Sequence, residues 1–351
     1  MRVLFLTADY PPLTWSGIGT AVSYQAQALS AAGYEVHVLC SRPPAERMPT
    51  VEGPTLHHLQ RHAFPIRPMP GDFVYLHSLS LAELATGLAV RWRLPLLYMA
   101  HSLLYKELVD DKANQWIRAQ YALFRQADHV FFPCEEERQD GILFCRALEN
   151  KTSVLRQGVP APSILRWQSS ADGPIVFAGR YCSSKGIDTL IHTVTELLKR
   201  DSCRQFVIAG GHGNHEETAA VYDLARRFQE NCCVPGWLSR DALDVLFLKA
   251  SLVLVPSRYE PFGMVALEAL RMGAPVLGTA TGGLAEILSE ASGGRLITSH
   301  DPVQWANEAE LMLDPRNNTK EWREGRSRYV AAHYSMSQTA RDFSSCIMQY
   351  A

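Results

Sequence analysis

Apolar residues fall along this chain in short runs separated by longer periodic stretches. Residues 3–8, 36–40, 73–76, 95–100 and 129–132 are largely apolar runs of strand length, and the more polar 151–155 reads as a further strand. Apolar runs of four to eight residues bounded by turn signals fit strands buried on both faces. Between them, residues 17–32, 81–92 and 113–126 carry helical periodicity, and Gly33 closes the first of these. Residues 41–70 are rich in Pro, His and Arg and read as irregular, with a strand near 56–60. The alternation then repeats. Strands are expected at 175–178, 206–209, 234–238, 252–255 and from 275, and helices at 187–200, 221–228, 240–249 and 264–272. Ser239 stands where an N-cap belongs. Strand and helix alternating through two halves predict two α/β domains, each with a mainly parallel sheet. Residues 1–157 form the first, 158–173 a linker with Pro160, Pro162 and Gly173, and 174–335 the second.

The helix at 264–272 is apolar nearly all round, yet it contains Glu268. A carboxylate in a buried helix is costly unless paired or hydrogen-bonded. It is either a structural Glu satisfied by an amide or an Arg, or part of a site. A second carboxylate, Glu260, lies in the loop before the helix. Eight positions at 1.5 Å each set the two roughly 10 Å apart. Between them, the helix N-terminus at Phe262, Gly263 and Met264 offers unpaired amides that attract an anion. Hydroxyls, phosphate and hydroxyls in a row, the layout of a sugar nucleotide, suit such a site.

Other chemistry lies at the C-terminal ends of predicted strands, where α/β sheets bind ligands. Ser16-Gly17-Ile18-Gly19 follows the first strand and opens a helix, without the third glycine of the dinucleotide fingerprint. His77 and His101 each end a strand, where a lone histidine is more often structural. Arg180 and Lys185 flank the loop after residues 175–178, placed to hold a phosphate or else simply solvated. Glu135, Glu136 and Glu137 read as a solvated helix start.

The segment SRYEPFGMVALEAL, with seven residues between Glu260 and Glu268, followed by APVLGTATGGLAEIL, resembles the E-x7-E element of retaining glycosyltransferase family four. AGRYCSSKGIDTLI resembles its G-R-x(4)-K-G element, MAHSLLYKEL its histidine segment and RQGVP the end of its first domain. The resemblance implies the GT-B fold: two Rossmann-like domains facing across a cleft, with the last helix, 337–350, crossing back to the first domain. It implies that Glu260 contacts the donor sugar and Glu268 the ribose, that Arg180 and Lys185 grip the diphosphate, and that His101 reaches the sugar near the leaving phosphate. Gly17 and Gly19 let amides approach the diphosphate. Phe262, Gly263, Met264 and Val265 belong to the donor site, and Leu238 flanks the base. The expected reaction moves a sugar from a UDP- or GDP-sugar to an acceptor hydroxyl with retention. A nucleotide-sugar epimerase, a phosphorylase or a non-catalytic sugar-nucleotide-binding subunit are the rival readings.

Composition narrows the partners. The chain has 351 residues, 47% hydrophobic and 20% charged, with net charge -2, which gives no case for nucleic acid. No apolar run is long enough to span a membrane, while peripheral contact stays open. The eight cysteines lack a Cys-x-x-Cys pair and no secretion signal opens the chain, as expected of free thiols in the cytoplasm. Cys232-Cys233 with His212 and His215 matches no zinc spacing. No Asp-x-Asp occurs, so neither metal nor cofactor is expected.

Overall fold

The computed structural model describes residues 1–11, 17–41, 53–59, 66–107, 113–162, 172–211, 213–290 and 294–350. The chain divides into two units, Met1–Pro160 with Ser335–Ala351, and Ala161–Tyr334. Ser16, His212 and residues 163–171 of the expected linker lie outside the described residues.

The first unit holds β1 (Arg2–Thr7), β2 (Glu35–Cys40), β3 (Thr55–His58), β4 (Phe73–Leu76), β5 (Leu96–Met99), β6 (His129–Phe132) and β7 (Thr152–Val154). They pair in the order β3-β2-β1-β4-β5-β6-β7, every pair parallel. Successive strand residues point to opposite faces, and helices cover both. Leu4, Leu6, Val74 and Leu76 therefore pack on one side, and Val3, Phe5, Phe73 and Tyr75 on the other. That is why the central strands β1, β4 and β5 read as nearly unbroken apolar runs. The second side is shared with the helix Met336–Ile347, through Ala340, Phe343 and Ile347. Tyr34 donates to Ser344 Oγ at 2.8 Å, and Thr339 donates to the carbonyl of Arg156 at 2.9 Å. A Cβ on Gly158 would stand 2.4 Å from the carbonyl oxygen of Ser335, so only glycine allows this approach.

The second unit holds β8 (Ile175–Arg180), β9 (Phe206–Gly211), β10 (Cys232–Gly236), β11 (Leu252–Val255), β12 (Val276–Thr279) and β13 (Gly294–Ile297). Their order is β10-β9-β8-β11-β12-β13, again parallel throughout. Both sheets start in the middle, wind outward for three strands and then cross to the other side of the first strand. This doubly wound order places a switch point between β1 and β4 and another between β8 and β11.

Several expected boundaries moved. β8 runs two residues further, because Gly179 and Arg180 pair with Gly210 and Gly211. The helix expected at 221–228 begins earlier and spans His215–Arg227, its first turn being polar and outside the apolar period. β10 stops at Gly236, so Leu238 lies beyond it, half-buried. The acidic run at 135–137 is not a wholly solvated helix start. Glu137 is fully buried and accepts from Lys106 Nζ at 2.8 Å and from the Leu103 amide at 3.2 Å. It anchors the segment that follows His101.

Candidate active site

In the second unit, the E-x7-E segment is fixed by close backbone approaches. Gly263 caps the helix Met264–Arg271 with φ +105, a conformation that side-chain-bearing residues rarely adopt. Gly282 and Gly283 begin the helix Gly282–Glu290. A Cβ on Gly282 would sit 2.3 Å from the Glu260 carbonyl oxygen, and one on Gly283 2.1 Å from that of Phe262. The Gly283 amide donates to the Glu260 carbonyl at 3.1 Å. The loop between β8 and the helix Ile187–Arg200 joins from the other side. The carbonyl of Ser184 accepts from the amides of Arg258 and Tyr259, at 2.8 and 3.2 Å. Gly186, at φ +67, passes so close to Pro256 that a Cβ would lie 1.9 Å from its carbonyl oxygen. The C-terminal end of the site helix is held by Arg323, fully buried, which donates to the carbonyls of Met272, Phe247, Leu248 and Ala250.

This scaffold brings Lys185 and Glu260, 75 residues apart, into one contact. Lys185 Nζ lies 2.6 Å from Glu260 Oε2, with the side chains 20% and 13% exposed. Ser257 Oγ donates to the same oxygen at 3.1 Å. Arg180 ends β8, half-buried. Phe262 and Gly263 are buried, whereas Met264 and Val265 on the first turn are half-buried. Glu268 is 2% exposed and forms an ion pair with Arg240, the first residue of the helix Arg240–Lys249, whose N-cap Ser239 accepts from the Ala242 amide at 3.3 Å.

The sequence demanded a partner for Glu268 without identifying it. Arg271, on the same helix, pairs instead with Asp244. Arg240 and Ser257 are thus two residues of this constellation that spacing alone did not mark. The only signal for Arg240 was the need of a buried carboxylate for a cation.

In the first unit, Gly17 opens the helix Gly17–Ala31. Among the described residues, nothing lies within 4 Å of where its Cβ would stand. Gly19, two residues on, is buried. His101 follows β5, and His77 follows β4. They are not alternatives but partners, with His77 Nδ1 and His101 Nε2 3.1 Å apart. His77 is 4% exposed, stacked on Phe5 with ring centroids 4.8 Å apart, and tilted against Tyr75. Burial holds His101 down to about 4, and burial together with the neighbouring His101 holds His77 well below the usual histidine range. Both rings are neutral at pH 7.

Among the described residues, no group of three His, Cys, Asp or Glu side chains could hold a metal ion. Among the same residues, no helix is long and apolar enough to cross a membrane.

Known proteins place this arrangement in context. Residues 169–328 match the family Glycosyl transferases group 1, and residues 15–161 match Glycosyltransferase Family 4. The D-inositol 3-phosphate glycosyltransferase of Corynebacterium efficiens is 28% identical over 267 residues, 69% of this chain and 63% of that protein. The match thus spans under two thirds of that relative's length. Sucrose-phosphate synthase from Thermosynechococcus elongatus superposes with a TM-score of 0.78 at 20% identity, covering 100% of this chain and 99% of that one. HepE of Anabaena, solved in complex with UDP and glucose, gives 0.76 at 18% identity, covering 99% of each chain. At these identities the structural likeness establishes the GT-B fold. With the two family matches covering both units, the chain belongs to the family-four glycosyltransferases.

Proposed function

We propose that this protein transfers a sugar from a UDP- or GDP-sugar to an acceptor hydroxyl with retention at the anomeric carbon, using neither a divalent metal nor a cofactor. One observation carries the reading: Lys185 and Glu260 meet at 2.6 Å beside a glycine-capped helix N-terminus, at the C-terminal side of the β8–β11 switch point. A cation, a carboxylate and free amides at such a switch point suit a ligand that is anionic in one part and hydroxylated in the next.

In this mechanism, the diphosphate takes over Lys185 from Glu260. Arg180 and the amides of Phe262 and Gly263 complete its cradle. Glu260, released from the ammonium, accepts a hydroxyl of the donor sugar, and Ser257 keeps the carboxylate oriented. As the bond between the anomeric carbon and the β-phosphate oxygen breaks, negative charge grows on the diphosphate. Fixed cations and amides stabilise that charge more than they stabilise the ground state, which lowers the barrier. Glu268, held by Arg240, accepts the ribose hydroxyls. Met264 and Val265 line the donor beside that helix start, and Leu238 lies against the base. In the first unit, Gly17 and Gly19 leave room for the diphosphate, and His101 is assigned the donor sugar near its leaving phosphate. Two cations and the amides supply the charge stabilisation that a divalent ion otherwise provides, and the sequence holds no Asp-x-Asp to bind one.

The test is a matrix of UDP- and GDP-sugars against sugar, polyol and lipid acceptors, read by mass spectrometry of the products. Transfer by the purified chain from one donor class supports the reading. Donor consumed without acceptor, giving an isomeric nucleotide sugar, would establish an epimerase. Turnover that requires inorganic phosphate would establish a phosphorylase.

A further inference from the structure

His77 lies outside the donor contacts, yet it is buried and holds the one titratable side chain of the first unit assigned to the reaction. Its ring is fixed from three directions, by Phe5, by Tyr75 and by the contact of Nδ1 with His101 Nε2 at 3.1 Å. Its other nitrogen, Nε2, is buried with no hydrogen-bond partner among the described residues. Where two neutral imidazoles share one nitrogen–nitrogen contact, only one of the two facing nitrogens carries a proton. If that proton belonged to His101 Nε2, His77 would carry its own proton on the buried Nε2, as an N–H with nothing among the described residues to donate to. Orphaned buried N–H groups are rarer than under-used acceptors. The proton therefore sits on Nδ1 of His77, and His101 keeps its own on Nδ1.

We infer that His77 is a positioning residue: it donates its Nδ1–H to Nε2 of His101 and holds His101 as the Nδ1–H tautomer, a hydrogen-bond donor to an oxygen of the donor sugar or its leaving phosphate. In this state both nitrogens of His101 are committed, Nε2 as an acceptor from His77 and Nδ1 as a donor. His101 is then an electrostatic contact with no lone pair to take a proton from an acceptor hydroxyl. The functional part of this inference rests on the proposed role of His101, whereas the tautomer does not.

The experiment is long-range proton–nitrogen NMR of the imidazoles in the nitrogen-15-labelled full chain at pH 7. The His101 signals are assigned as those lost in His101→Gln. The expected spectrum has a protonated Nδ1 and a bare Nε2 on His101. In folded His77→Phe, which keeps an aromatic ring on Phe5, the Nε2–H form of His101 becomes populated. His77→Asn, whose amide donates from near the Nδ1 position, restores the wild-type pattern. An Nε2–H tautomer of His101 in the wild type overturns the inference, and so does an unchanged pattern in folded His77→Phe. If His77→Phe does not fold, the wild-type spectrum and His77→Asn decide it. With whichever of the UDP- and GDP-sugars is turned over, His77→Phe lowers kcat by about tenfold with donor KM within about twofold, and His77→Asn recovers it. The expected spectrum together with an unchanged kcat would leave the tautomer standing and remove His101 from the donor sugar.

Discussion

The Lys185–Glu260 contact predicts that neutralising its two ends moves nucleotide affinity in opposite directions. In the free protein the ammonium is taken up by the carboxylate at 2.6 Å. A diphosphate must displace that carboxylate before it can use Lys185. A pair on this scale of exposure contributes at most about 1 kcal/mol. Glu260→Gln removes that competition and a negative charge near the phosphate, so UDP or GDP should bind about twofold to fivefold more tightly. Lys185→Ala removes a charge-assisted contact of about 1.5–3 kcal/mol and leaves Glu260 facing the phosphate without its cation. Affinity should then fall by about tenfold to a hundredfold. Adding Arg180→Ala to Lys185→Ala should cost less than the sum of the two, because both cations hold one ligand. The assay is calorimetric titration of UDP and of GDP into each variant, with thermal melts as the folding control. Turnover supplies a second axis. Glu260→Gln should lower kcat although it tightens the nucleotide, since the carboxylate acts on the sugar and not on the diphosphate. Equal affinities in both folded variants, or a loss in both, would refute the exchange of Lys185 from carboxylate to phosphate.

Other consequences follow from the buried groups. Arg240→Ala strips the cation from a Glu268 that is 2% exposed, and should destabilise the protein by about 1–3 kcal/mol. Glu268→Gln should fold better than Arg240→Ala and weaken nucleotide binding instead, read by chemical denaturation and by titration. Acid should destabilise the first unit through His101. Its pKa in the fold is about 4 against an ordinary 6.5, so between those values the unfolded chain binds the extra proton, and stability is present above pH 6.5 and lost as pH falls. At pH 5 that is about 2 kcal/mol at 1.36 kcal/mol per unit. His101→Gln should flatten this part of the melting-temperature profile. Turnover should survive exhaustive EDTA treatment. Complete loss, restored by magnesium or manganese, would contradict the charge-stabilising role given to Arg180 and Lys185.

The central strands of both sheets were readable from the sequence because strands buried on both faces show as apolar runs, and Gly33 and Ser239 mark a helix end and a helix start; the half-exposed edge strand β13 (Gly294–Ile297) carries no such run and was not expected. Glu260, Glu268, Arg180 and Lys185 were readable because backbone-tight loops demand glycine and proline at fixed offsets, which makes their surroundings distinctive. What spacing could not supply was pairing across the fold. That Arg240 rather than Arg271 meets Glu268 depends on how two helices pack. That His77 and His101 touch depends on β4 and β5 being neighbours in the sheet. Glu137 looked solvated because an acidic first turn normally is, and the Lys106 side chain, 31 residues earlier, and the Leu103 amide hold it in its buried place.

The central claim is sugar transfer with retention, and the proton NMR spectrum of the product tests it most directly. The purified chain is given the donor and acceptor pair that the product matrix identifies, with a donor whose sugar is α-linked to the diphosphate. The one-bond carbon–proton coupling at the new anomeric position is recorded on the linked product. The account predicts an α-linked product, with one nucleoside diphosphate released per linkage formed. A β-linked product, or nucleoside diphosphate released with no new linkage under any donor and acceptor pair, would contradict it.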